Sequence, residues 1–172
     1  MDTMRSAVLA VFGGLPGTGK TTVARELTAR LGASYIRIDT IEQALRAAGR
    51  EVGVLGYVMA NDLAADNLRL GRTTIVDCLN PVLASRQGWR QTALRQSARL
   101  VEIELVCSDP AVHRQRAEGR PPDGSGLRHP TWDEIVSRIY EPWDRAHLVL
   151  DSATRSLDEL VDAAEGIVRQ QG

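Results

Sequence analysis

The stretch Ala7-Val8-Leu9-Ala10-Val11-Phe12-Gly13-Gly14-Leu15-Pro16-Gly17-Thr18-Gly19-Lys20-Thr21-Thr22 decides the fold. Ala7 to Phe12 is a short continuous apolar run, the pattern of a strand covered on both faces of a parallel sheet. Gly13 to Gly19 breaks it. From Lys20 the period changes: Val23, Leu27 and Leu31 recur every four residues with Ala24 and Thr28 beside them, and Gly32 supplies a left-handed stop. The order is strand, glycine-rich loop, helix.

Working outward, the alternation continues. Ser34 to Ile38 reads as a strand, and its Arg37 argues for a sheet edge. Helical patterns follow from about Thr40 to Ala48 and through Leu55, Met59, Leu63 and Leu70, closed by Gly71. Thr73 to Cys78, Leu100 to Cys107 and His147 to Leu150 are further strands, the second interrupted by Glu102 and Glu104, for which the pattern supplies no partner. Asn80-Pro81 and Asp109-Pro110 each place a capping side chain before a proline, so helices are expected to open there. Thr131 with Glu134 and Ser156 with Glu159 form capping boxes for the last two. Such alternation implies an α/β fold, a five-stranded parallel sheet with helices on both faces. Its ligand site belongs beyond the carboxyl ends of the strands, where the glycine loop, Asp39 and Asp77 should meet.

Composition narrows the classes. The 172 residues are 43% hydrophobic and 25% charged, enough for one domain over residues 1–172 with a substantial core. A formal charge of -1 recommends neither an extended nucleic-acid groove nor an acidic membrane as partner. No apolar run suits a secretory core or a bilayer span, so a cytoplasmic location is expected. Cys78 and Cys107 lack metal-site or disulfide spacing and read as buried thiols. The sequence carries no signal for oligomeric state.

Of the 21 basic residues only Lys20 is lysine; the other 20 are arginine. A compact ammonium on a flexible stem is retained at the one place where a planar fork is no substitute. Gly14 to Thr21 satisfies GxxxxGK[ST] and resembles the Walker A motif of P-loop NTPases. Gly14, Pro16, Gly17, Thr18, Gly19, Lys20, Thr21 and Thr22 are therefore the candidate ATP-binding residues, with backbone amides cradling phosphate and Lys20 reaching the β- and γ-phosphates. Thr21 offers its hydroxyl to Mg2+, and Asp77, ending Thr74-Ile75-Val76, resembles a Walker B acid that completes the metal site. Asp39 is the candidate base for an acceptor hydroxyl, although Asp39-Thr40-Ile41-Glu42 also fits a capping box.

Arg116 and Arg120 stand i, i+4 with His113 on the same stripe and lead into Pro121-Pro122-Asp123-Gly124-Ser125-Gly126. This reads as a short lid over about 113–130, whose arginines neutralise charge on the transferred phosphoryl group. The competing reading is a solvated helix face. Arg114 and Arg128 are secondary candidates. Asn80 and Arg86 lie where an acceptor would rest, with helix capping and surface charge as their structural alternatives. Trp89, Trp132 and Trp143 read as packing residues.

Taken together, Gly14 to Thr21, Asp39, Thr74 to Asp77 and the Arg116/Arg120 pair make the chain similar to the small P-loop kinases. These include the gluconate and adenylylsulfate kinases, chloramphenicol phosphotransferase and the zeta toxin kinases. The resemblance implies a three-layer P-loop NTPase fold and, by analogy with the last two, Asp39 as base. Asp39 is followed by Thr40-Ile41 and not by the DxD of shikimate kinase. With its single lysine in the phosphate loop the chain cannot contain the NKxD segment of a Ras-type GTPase, and an AAA+ motor is disfavoured as an expectation, since 172 residues leave no room for its extra helical domain. The expected activity is transfer of the γ-phosphoryl group of ATP, with Mg2+, to a hydroxyl of a small molecule, metabolite or antibiotic. A nucleoside, nucleotide or polynucleotide kinase is the alternative within the class, and an ATP-dependent switch binding a protein partner the alternative outside it.

Overall fold

The computed structural model describes residues 7–120 and 129–170. Its elements are β1 (Val8–Gly13), α1 (Lys20–Leu31), β2 (Ser34–Arg37), α2 (Ile38–Ala47), α3 (Leu55–Arg69), β3 (Thr74–Asp77), α4 (Leu83–Arg95), β4 (Arg99–Val106), α5 (Pro110–Glu118), α6 (Trp132–Val136), β5 (Leu148–Asp151) and α7 (Leu157–Arg169). The five strands form one all-parallel sheet in the order β2-β3-β1-β4-β5. This is the expected α/β architecture, with β2 at the edge where Arg37 placed it.

All six residues of β1 are buried. A fully buried Leu, Val or Phe contributes about 1.5–3 kcal/mol, so β1 is a rigid base for the loop that follows. Leucines and valines of α1 and α7 pack on one face of the sheet, α3 and α4 on the other. The chain leaves β1 through α1 on one face and leaves β3 through α4 on the opposite face. The tips of these adjacent strands, paired Phe12 with Asp77, therefore open a crevice. Among the described residues no helix is long and apolar enough to cross a membrane.

Several local expectations are corrected. β2 stops at Arg37 and the chain enters α2 directly, so Asp39 lies in the first helical turn with Arg37 as N-cap and makes no capping bond. α4 opens at Leu83, two residues after Pro81, because Asn80 adopts φ 51° and the carbonyls of Asn80 and Pro81 are occupied by Arg86. α5 ends at Glu118, leaving Arg120 just beyond the helix that was expected to carry it. Cys78 is buried as expected, but Cys107 only partly. The stretch Pro121–Gly126 and Arg128 lie outside the described residues.

Helix α3 is the largest surprise. The expected apolar stripe Leu55, Met59, Leu63 and Leu70 faces outward, and the buried face is Gly56, Ala60, Ala64, Ala65 and Leu68. Small residues inward let α2 and α3 approach closely: a Cβ at Gly56 would fall 2.7 Å from Cγ of Glu42.

Glu102 and Glu104 acquire partners. Arg90 and Arg145 both ion-pair with the buried Glu102, while Glu104 accepts from Tyr140 and pairs with His147. The expected capping boxes at Thr131/Glu134 and Ser156/Glu159 are both formed, and Asp109 caps α5 with Pro110 in its first turn.

Candidate functional site

The loop between β1 and α1 is shaped by contacts that only glycine permits. Gly14 has φ +132°, and a Cβ there would lie 2.2 Å from the carbonyl oxygen of Leu105. Gly17 has φ +85°, and its Cβ would meet Cβ of Ala117 at 2.9 Å and the Ala117 backbone just beyond. Helix α5 thus rests directly on the loop. Thr18 donates through its hydroxyl to the Leu15 carbonyl at 2.9 Å, closing the turn. Nε2 of His113 sits 2.8 Å from the Pro16 carbonyl oxygen; a carbonyl only accepts, so His113 donates and pins loop to helix. Trp132 of α6 packs edge-on against the same imidazole, with 5.0 Å between ring centroids.

Lys20 opens α1 with Gly19 as N-cap, and its ammonium donates 2.9 Å back to the Leu15 carbonyl. Burial pushes its pKa down, against the opposing pull of Asp77 and Asp39. A cation held short of solvent and aimed at its own loop has unmet demand for negative charge.

On the acidic side, Oδ2 of Asp77 accepts from the Thr21 hydroxyl at 2.7 Å and from the Tyr35 phenol at 2.9 Å. Asp77 is only 4% exposed. Burial and the neighbouring Asp77 raise the Tyr35 pKa well above its ordinary value, which keeps the phenol a donor. Arg37, alongside Asp77 in the β2–β3 register, lies 3.7 Å from Asp77 and 2.9 Å from Asp39, so one guanidinium bridges both acids. The Asp39 side chain is 59% exposed. Burial pushes the Cys78 thiol up, with Asp77 adding to the effect, which removes it as a nucleophile.

These groups line a cavity of about 320 Å3 bounded by the glycine loop, Lys20, Thr21, Thr22, Asp39, Asp77, Cys78, Leu79, Arg116, Arg120 and Arg138. Arg116 is held by the carbonyl and hydroxyl oxygens of Ser152 after β5, at 3.2 and 2.9 Å. Arg120 reaches the cavity from just after α5 and Arg138 from just after α6. Arg138 was missed from sequence: it follows α6, beyond the expected lid, and its only local signal was a position close after a capping box.

Arg86 is not an acceptor contact. It is fully buried and donates to the carbonyls of Asn80, Pro81, Glu141 and Pro142, with its guanidinium carbon 4.3 Å from the Trp143 ring centroid. It ties the segment leaving Asp77 to the strand of chain that follows Arg138. Asn80 is also fully buried and accepts from Ser85, and among the described residues its Nδ2 has no partner.

The AAA domain family (AAA_33) matches residues 9–142, and the chain belongs to that family. Its fold is that of the small P-loop kinases. It is similar to the APS kinase of Mycobacterium tuberculosis in complex with AMPPNP and APS, with a TM-score of 0.75 and 20% identity over 96% of this chain and 99% of that one. A gluconokinase from Sinorhizobium meliloti has a TM-score of 0.65 and 17% identity over 94% and 91%. Kti12 of Chaetomium thermophilum, in complex with ADP-AlF3, has 0.63 and 20% over 94% and 100%. At these identities the likeness is one of fold. None of the curated proteins compared matches the chain.

Proposed function

We propose that the protein is an ATP-dependent phosphotransferase that moves the γ-phosphoryl group to a hydroxyl of a small molecule. The observation that carries this reading is a single cavity holding a glycine-shaped amide loop, a lysine lowered in pKa, a Thr21–Asp77 oxygen pair and the exposed Asp39 carboxylate opposite.

The loop amides from Gly14 to Thr22 and the amino end of α1 bind the phosphates, and Lys20 swings from Leu15 to them. The donor set fits Mg2+: a hydroxyl and a carboxylate are hard oxygen ligands, and among the described residues no cluster of three acids, histidines or cysteines competes for a dedicated metal cage. Thr21, with Asp77 directly or through water, would hold the ion, which when bound neutralises charge on the phosphate oxygens. Asp39 orients the acceptor hydroxyl and takes its proton as the new O–P bond forms and the bond to ADP breaks. Arg37 holds Asp39 in place. Arg120 and Arg138 face the charge spread over the transferred group, while Arg116, anchored on Ser152, borders the nucleotide.

The test is acceptor-dependent ADP release across alcohols, sugars, nucleosides and hydroxylated antibiotics. Lys20→Ala should abolish it through nucleotide binding, and Asp39→Asn should lower turnover by about 100-fold or more with ADP affinity within twofold. Parental turnover in Asp39→Asn refutes the base, and nucleotide binding unaffected in Lys20→Ala refutes the site.

A further inference from the structure

Helix α3 leaves Leu55, Val58, Met59 and Leu63 between 43% and 50% exposed while burying glycine and alanine. Large aliphatic side chains ordinarily occupy the inner face of such a helix. Of these exposed residues Val58, together with Val54, Tyr57, Pro81, Val82 and Ala84, walls a second cavity of about 490 Å3 between α3 and α4. That volume is ordinary for a small-molecule site.

The two cavities share one segment of chain. Cys78 and Leu79 line the first, Pro81 and Val82 the second, and the Asn80 amide between them donates to the Tyr57 hydroxyl at 3.0 Å. On the other side, Glu42, one turn beyond Asp39, packs on Gly56, the neighbour of Tyr57. The candidate base and the apolar cavity therefore flank the same corner, where the amino ends of α3 and α4 meet the tip of β3.

Charge is partitioned between them. Lys20, Arg116, Arg120 and Arg138 all border the first cavity, and Arg37 is engaged by Asp39 and Asp77. Among the described residues the second holds one cation, Arg95 at the far end of α4, and one acid, Asp62. A sugar acid or a nucleotide seated here would bury an anion with no counter-charge at the corner, which is costly.

We infer, resting on the phosphotransferase reading, that the acceptor is an uncharged molecule whose apolar body lies between α3 and α4 and whose hydroxyl reaches Asp39 past Leu79. Anionic acceptors are disfavoured.

The test uses the full chain with Mg2+ and AMPPNP, and titrates 1-phenyl-1,3-propanediol and gluconate by calorimetry. ADP affinity is measured separately. The diol should bind saturably and gluconate should not. Ala84→Glu and Val58→Asp, both at exposed positions, should each weaken the diol at least tenfold and leave ADP within twofold. Failure of the diol to bind while ADP binds, preference for gluconate, or diol affinity unmoved in both variants overturns the inference alone. Failure of the native chain to bind ADP overturns the phosphotransferase reading beneath it. A native dimer dissociated by Ala84→Glu would reassign the cavity to a subunit contact and equally overturn the inference.

Discussion

Replacing Gly17 by alanine separates two costs that usually travel together. At φ +85° any β-carbon is strained by about 1–2 kcal/mol. Gly32, with φ +60° and nothing within 4 Å of a built Cβ, carries the strain alone. Gly32→Ala should therefore lower stability by about 1 kcal/mol, or about 2–4 °C in Tm for a chain of this size, and leave nucleotide affinity untouched. Gly17→Ala adds contacts of 2.9 Å to the Ala117 side chain and 3.1 Å to its Cα. Backbone cannot rotate aside as a side-chain tip can, so either the loop or α5 must shift, at about 1–3 kcal/mol for overpacking. Whichever moves, the amide cradle, the His113–Pro16 bond and Arg116 of α5 lose register. Spent against nucleotide binding, that range weakens ADP by about 5- to 150-fold. The assay is ADP titration by calorimetry beside thermal melts of both variants. A Gly17→Ala protein that melts like Gly32→Ala and binds ADP within twofold of the parent would refute the view that α5 is seated on a phosphate loop.

Tyr35→Phe removes a donor to a buried carboxylate and should cost about 1.5–3 kcal/mol of stability. It should change ADP affinity in the presence of Mg2+ but not in its absence, and equal changes in both would show that Tyr35 does not act through Asp77. Arg86→Leu strands four backbone carbonyls and should destabilise by at least about 3 kcal/mol, seen as a large loss of Tm; a Tm within 2–4 °C, about 1 kcal/mol, would contradict its structural role. Asp144 is held at about 2, below its usual value, chiefly by its hydrogen bond from Arg90. Its folded pKa lies under its unfolded one, so its contribution is present above about pH 4 and is lost as pH falls towards about 2. Asp144→Asn should flatten the acid-unfolding curve in that window, and an unchanged slope there would count against the pair.

The phosphate site was legible because it is local. Gly14 to Thr21 is eight consecutive residues, and the geometry it needs, glycines at positive φ leading into a helix, is specified within the stretch itself. Asp77 and the edge position of β2 followed from strand patterns of a few residues. Asp39 is legible as a position but its surroundings are not, since in the sequence Arg37 marks only the sheet edge, while in the fold it pairs with both Asp39 and Asp77.

Other features depended on partners far along the chain. Arg86 resembled a surface charge because its acceptors at Glu141 and Pro142 are about 55 residues away, and Glu104 looked unpartnered because His147 stands 43 residues on. In α3, the stripes Leu55/Met59/Leu63 and Gly56/Ala60/Ala64 share one period and differ by a single residue in phase. Hydrophobicity favours the first, but the second turns inward, with Gly56 against Glu42 of α2 and Ala60 and Ala64 in the core against the sheet. By itself the sequence determined the order of strands and helices and the phosphate loop, where short-range backbone preferences and periodicity dominate. Tertiary structure alone decided which face of α3 turned inward, which charges found partners and what lines the corner beside Asp39, because those outcomes depend on how closely distant segments approach.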